Sequence, residues 1–266
     1  MTSTGPASPP RLDAGSDDER DLRDELAEVG AAVVRAGLVV GSGGNLSARR
    51  PGADTCWVTG AGTWLDRLSR PSFARVRISD GVTLRSGGAE PSGVTGSSGS
   101  GDAGSTGARG VFDDPRAAGS SSVPAMRHSA DVAPSSEVAL HLATYRERPD
   151  VTAIIHLHPQ TALLLDALGE RIRLLTTDHA FYVRRVGTVP FHPPGTTALA
   201  EAAARAASDG TNCFVLSRHG CSVLADSIEL ALKRAYNLEE AAQLTYRALA
   251  LGRLADLTDQ PPPAGA

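Results

Sequence analysis

The sequence predicts an α/β fold, and three stretches carry that prediction. Leu22, Leu26, Val29, Val33 and Val34 recur near the 3.6-residue period of an amphipathic helix. Residues 151–157 form a β-branched, apolar run opened by Pro149-Asp150 and closed by Pro159, the pattern of a short buried strand. Residues 212–217 and 221–224 read as a hairpin around Arg218-His219-Gly220, followed by a helical pattern to about Leu251. Strands interleaved with helices place the chain in the mixed class rather than the all-α or all-β classes.

The first helix is expected from Asp17 or Asp18 to Ala36, with its acidic start at the positive end of the helix dipole and Gly37 as its stop. A short strand holds Cys56 and Trp57. Residues 74–85 read as strand, Asp80-Gly81 turn and strand. A helix runs from Ser135 or Ser136, either of which can cap it, to about Arg148. Thr161 to Leu168 is helical and stops at Gly169. Residues 172–175 and 181–183 look like strands, 190–195 like a rigid loop, and 197–208 like an Ala-rich helix. Asp226 with Glu229 resembles a capping box for the last helix.

Domain organisation follows from composition. Residues 1–16 and 256–266 are polar, Pro- and Gly-rich tails, expected to be disordered. Residues 86–131 are mainly Gly, Ser, Ala and Pro without an apolar period, which reads as a disordered insertion within one domain spanning 17–255. The balance of 26 Lys+Arg against 30 Asp+Glu gives no basic field for a nucleic-acid backbone. Three cysteines without a CxxC pair do not make a disulfide framework. Residues 1–10 lack an apolar signal-peptide core and no stretch approaches a membrane span, so the expected setting is the cytoplasm, with no membrane partner.

The chemistry gathers in a few places. His156 and His158 lie two apart on one strand, so both side chains point to one face about 7 Å apart at Cα. The pair reads as metal ligands or as two satisfied core imidazoles. Residues 41–49 carry Gly41, Gly43 and Gly44, and 58–63 carry Gly60 and Gly62. Such turns admit positive φ and can expose successive N–H groups to an anion, or simply join elements. Glu137 and His141 stand one helical turn apart on one face, at an N-terminus that favours negative charge or complements an acidic first turn.

Four segments taken together resemble one family, the class II aldolase/adducin superfamily of metal-dependent sugar-phosphate aldolases and 4-epimerases. They are Gly41-Ser42-Gly43-Gly44-Asn45-Leu46-Ser47, Pro134-Ser135-Ser136-Glu137, Ile155-His156-Leu157-His158-Pro159 and His219-Gly220, and they come in the family's order. The resemblance covers about residues 20–85 and 132–251. It implies a three-layer α/β/α domain around a central, largely antiparallel sheet, and a homotetramer with active sites between subunits. It implies one Zn2+, or another divalent ion such as Mn2+, per subunit on His156, His158 and His219. Ser42, Gly44, Asn45, Gly62, Ser135 and Ser136 would bind the substrate phosphate, and Glu137 would be the catalytic acid/base.

The expected reaction is retro-aldol cleavage of a small phosphorylated ketose, with the metal stabilising an enediolate and Glu137 exchanging the carbanion's proton. The same superfamily also holds 4-epimerases, dehydratases and decarboxylases. An acid Glu at 137 resembles the aldolase branch rather than the epimerase branch, which favours Asp there, but dehydratases and decarboxylases also use a Glu-like site, so Glu137 does not settle the reaction. Non-catalytic adducin-like domains have lost metal ligands, whereas all three histidines stand here. Two departures matter. Ala61 occupies a position where aldolases commonly carry a hydroxyl, and residues 174–179 give no clear match to the tyrosine that aldolases contribute from a neighbouring subunit. Tyr182 and His179 are candidates for that role, or ordinary loop residues.

Overall fold

The computed structural model describes residues 20–85 and 132–260. The expected tail 1–16 and insertion 86–131 lie outside the described residues. Eight strands build one sheet: β1 (Asn45–Ala48), β2 (Thr55–Thr59), β3 (Phe73–Arg77), β4 (Thr83–Leu84), β5 (Ala153–Leu157), β6 (Val186–Val189), β7 (Cys213–Leu216) and β8 (Gly220–Ala225). Their order is β4-β3-β2-β1-β5-β8-β7-β6, and every neighbour pair is antiparallel except β6 with β7. Five α-helices flank it: α1 (Leu22–Arg35), α2 (Val138–Glu147), α3 (Gln160–Leu168), α4 (Thr197–Ala207) and α5 (Ile228–Ala250).

Alternation along the strands divides the core in two. Ala153, Ile155 and Leu157 of β5 join Val29, Val33, Leu165, Ala235 and Leu238 in a layer with α1, α3 and α5. Ile154 joins Leu140, Tyr145, Leu199 and Ala203 in a layer with α2 and α4. Every residue of β5, β7 and β8 is buried, as strands covered on both faces require. The three-layer α/β/α architecture with a largely antiparallel sheet is the one expected from the sequence.

Several local expectations are corrected. Residues 172–175 are not a strand, and 181–183 belong to a π-helical turn, His179–Val183, that packs against α5. A short apolar run does not declare its period; here Ala180 and Val183 are buried while Arg234 Nε donates to the Tyr182 carbonyl at 3.0 Å. The strand that follows this turn is β6, at one edge of the sheet. Its Gly187 lies over Phe214, whose ring leaves no room for a Cβ. The cap of α5 is Ser227, whose hydroxyl accepts from Leu230 N, not Asp226. The cap of α1 is Asp21. Residues 256–260, expected as the start of a loose tail, are fastened: Asp259 pairs with Arg173 at 2.7 Å and Gln260 N donates to the Leu174 carbonyl at 2.7 Å. Among the described residues no helix is long and apolar enough to cross a membrane.

Candidate metal centre

The register of the sheet brings the polar residues together. Asn45 of β1 and Ser222 of β8 both stand opposite His156 on β5, so their side chains share one face with it. That face looks toward α2, where Glu137 occupies the N-cap position. Its side chain does not cap the helix; Ser135 Oγ accepts the Glu137 N–H at 3.3 Å, which leaves the carboxylate aimed at the strand. His158 follows β5 directly. Next to it α3 begins, its first N–H groups held by the buried Glu239, which accepts from Thr161 N and Ala162 N at 3.1 Å. At the other end of α3, Asp166 accepts from Ser217 Oγ at 3.0 Å and Arg218 N at 2.8 Å. This clamp fixes the β7–β8 turn, where Arg218 adopts φ 60°, and so fixes His219. One short helix thereby locates two histidines that are 61 positions apart in the chain.

Glu137, His156, His158 and His219 each offer a ligand atom, and all four atoms lie within 4.8 Å of one another. His156 Nε2 is 3.1 Å from His158 Nε2 and 3.0 Å from Glu137 Oε2; His219 Nε2 is 3.0 Å from Glu137 Oε1. The buried Oε1 nevertheless makes no hydrogen bond of good geometry. The four atoms thus gather in one small volume. A tetrahedral ion with bonds of 2.0–2.1 Å needs ligand atoms about 3.3 Å apart, so small relaxation fits these residues to one. Three imidazoles with a carboxylate beside them suit a divalent transition ion, and the group can hold a metal.

The local electrostatics agree. Burial raises the Glu137 carboxyl, but the imidazoles of His156 and His219 more than offset it and hold it below the usual carboxylate range. Burial, then repulsion by the other two imidazoles, lowers His158 to about 4. A neutral imidazole is the form that ligates metal.

Ser42, Gly44, Asn45, Gly62, Ser135 and Ser136 line the same cavity of about 300 Å3 as Glu137, His158 and His219. Gly44 and Gly62 have φ of 80° and 70°, and a Cβ at Gly44 would stand 2.6 Å from the His156 carbonyl. The cavity also takes in Gly43 of the first glycine turn, and Thr63 and Pro194, to which the sequence assigned no role. Asn45 differs most from expectation. Its Nδ2 donates to Glu137 Oε2 at 3.1 Å and its Oδ1 accepts from His141 Nε2, so its amide serves the carboxylate. Neither His179 nor Tyr182 reaches the cavity within one chain: His179 is buried against α5, its Nε2 3.3 Å from Glu240.

His141 is wholly buried, and burial, followed by the field of His156, lowers it to about 3 from an ordinary value of 6.5. Between those values the unfolded chain binds a proton that the native state refuses. The stability of metal-free protein should therefore fall as pH drops from about 6.5 toward 3, by up to about 1.4 kcal/mol per pH unit for this group. His158 adds to the same slope. Urea melts at pH 7, 6 and 5 on the protein and on His141→Gln should show a shallower decline in the variant; parallel declines would contradict this account.

Comparison with known proteins places this geometry. An L-fuculose phosphate aldolase of Methanocaldococcus jannaschii is 35% identical over 112 residues, which is 42% of this chain and 60% of that protein. The chain thus spans only about 60% of that relative's length. A 3-oxo-tetronate 4-phosphate decarboxylase of Escherichia coli is 27% identical over 251 residues, covering 90% of this chain and 96% of the relative. Among solved structures, YgbL of Klebsiella pneumoniae, described as a putative aldolase/epimerase/decarboxylase, superposes with a TM-score of 0.64 at 25% identity, over 89% of this chain and 97% of that one. The family model for the Class II Aldolase and Adducin N-terminal domain matches residues 24–246, and with the fold and donor cluster already described, the chain belongs to that family.

Proposed function

We propose that the protein is a zinc-dependent carbon–carbon lyase, an aldolase that cleaves a small phosphorylated ketose by a retro-aldol reaction. The observation that carries this reading is the convergence of three imidazoles and one carboxylate at the floor of a cavity walled by glycine and serine. His156, His158 and His219 hold the ion. When bound, it supplies Lewis-acid stabilisation of the negative charge that develops on the substrate's oxygens as the C–C bond breaks. Three protein nitrogens leave coordination positions for the substrate, as a catalytic site requires.

The chain's own groups do the rest. Backbone N–H groups at Gly44 and Gly62, with the hydroxyls of Ser42, Ser135 and Ser136, bind the phosphate and so orient the bond to be broken. Glu137 starts ionised, takes the proton of the substrate hydroxyl whose carbon becomes the aldehyde, and returns it to the carbon that carries the negative charge. The same reading has the chain act as a homotetramer in the cytoplasm.

A second reading is favoured by one observation, the end-to-end similarity to the 3-oxo-tetronate 4-phosphate decarboxylase. Decarboxylation of a phosphorylated 3-oxo acid releases CO2 and leaves a carbanion beside the same carbonyl, to which Glu137 would pass a proton taken up from solvent. Zinc-loaded protein offered a panel of ketose 1-phosphates and phosphorylated 3-oxo acids should release dihydroxyacetone phosphate with an aldehyde under the first reading, and CO2 under the second. Turnover of neither panel, or turnover that survives chelation, would sink both.

A further inference from the structure

The carboxylate of Glu137 is the head of a buried chain of side chains that the reaction as proposed does not explain. Its members come from two interlocking periodicities. Glu137, His141 and Tyr145 recur every four residues on the α2 face, and Asn45 and Ser47 every two on the β1 face that meets it. Asn45 Nδ2 lies 3.1 Å from Glu137 Oε2, Asn45 Oδ1 meets His141 Nε2, His141 Nδ1 lies 2.6 Å from Ser47 Oγ, and Ser47 Oγ lies 2.8 Å from Tyr145 Oη. All five residues are buried.

Hydrogen-bond chemistry gives this chain a direction. An ionised carboxylate only accepts, so the Asn45 amide must turn its NH2 to Glu137 and its oxygen to His141. That oxygen also only accepts, so His141 must carry its proton on Nε2. Burial keeps the ring neutral, which leaves Nδ1 bare to accept from the Ser47 hydroxyl. Ser47, having given its one proton, accepts from Tyr145, whose other acceptor, the Thr152 carbonyl, is farther away at 3.4 Å. Each orientation follows from the one before it, and the last donor in the series points at Glu137.

We propose that Tyr145, Ser47, His141 and Asn45 form a one-directional hydrogen-bond relay that orients the Glu137 carboxylate, with His141 as its central positioning residue. None of the four exchanges a proton with substrate. Without the His141 N–H, the Asn45 amide loses the contact that keeps its oxygen away from Glu137. It is then free to turn that oxygen toward the carboxylate and displace it. The relay rests on the reading of Glu137 as acid/base, but its geometry can be tested without catalysis.

Metal-free and zinc-loaded protein labelled with 15N-histidine should show His141 as a neutral ring protonated on Nε2, with the signal assigned from its loss in His141→Gln. A proton on Nδ1 would overturn the relay. In kinetics, His141→Leu should lower kcat by about 10–100-fold, the usual effect of removing a group that supports a metal-site residue. KM and zinc stoichiometry should stay within about twofold. His141→Gln, which keeps an N–H for Asn45, should recover most of the loss. In an Asn45→Ala background, His141→Leu should add nothing to the kcat defect, because its action passes through that amide. Multiplying defects would refute the relay. If His141→Leu does not fold, Tyr145→Phe takes its place in the cycle with a smaller defect expected. A wild-type protein with no lyase activity would sink the functional reading, while the tautomer measurement would still decide the relay.

Discussion

Replacing His156 with alanine should abolish tight divalent-metal binding and with it turnover. Of the three histidines it is the most enclosed, with 0% of its surface exposed, and its Nε2 contacts both His158 at 3.1 Å and Glu137 at 3.0 Å. It therefore sits at the bottom of the cluster, where no water-borne ligand replaces it easily. Losing it leaves His158 and His219 with Glu137, and removes one of the two imidazoles that hold the carboxylate ionised. Zinc at 100 times its dissociation constant stabilises a binding-competent native state by about 2.7 kcal/mol. In a domain of this size that shifts Tm upward by about 5–10 °C. The wild-type protein should show that shift and one equivalent of metal after dialysis. His156→Ala should show neither, yet fold to a similar metal-free Tm. A variant that still retains one tightly held zinc would mean that the cluster is a hydrogen-bonded core group and that the metal lies elsewhere.

The parts of this site legible in the sequence are those whose geometry is local. A two-residue spacing on β5 puts His156 and His158 on one face, and a hairpin around His219 needs only two short apolar runs. Glycines at 44 and 62 announce positive φ because no other residue takes it freely. What stayed hidden depends on contacts between distant segments. Asn45 looked like one more pocket residue because its partners are 92 and 96 positions away, on α2. Glu239 and Asp166 carry no local mark, since nothing near them in the chain reveals that they face N–H groups of α3 and of the β7–β8 turn. The fold itself was misjudged where side-chain period is weakest. Residues 181–183 are apolar enough for a strand, but close a π-helical turn. The strand that follows, β6, contains Gly187, where the Phe214 ring leaves no room for a Cβ.

The hairpin glycine offers the sharpest separation of site geometry from mere stability. Gly220 begins β8, and a Cβ there would lie 2.6 Å from the Leu157 carbonyl oxygen, 2.7 Å from His158 Cδ2 and 2.8 Å from His156 Cε1. Its φ is not the obstacle; space is. None of the three obstacles is the free end of a flexible chain: one is backbone and two are imidazole rings of the candidate metal centre. Gly220→Ala must therefore push β8 away from the end of β5 or rotate the imidazoles, and either moves the ligands by a fraction of an ångström to an ångström. Overpacking of this kind costs about 1–3 kcal/mol of stability, while a misplacement near 1 Å at a reacting centre costs about 100-fold in rate. The control is Gly187→Ala, where a Cβ would meet the Phe214 ring at 2.8 Å on the far edge of the sheet. That variant should lose comparable stability and keep its zinc affinity and kcat. Gly220→Ala should lose both while still unfolding cooperatively in urea at 25 °C. If the two variants show equal kcat per folded molecule, the close contact between β8 and the histidines is not what holds the site in shape.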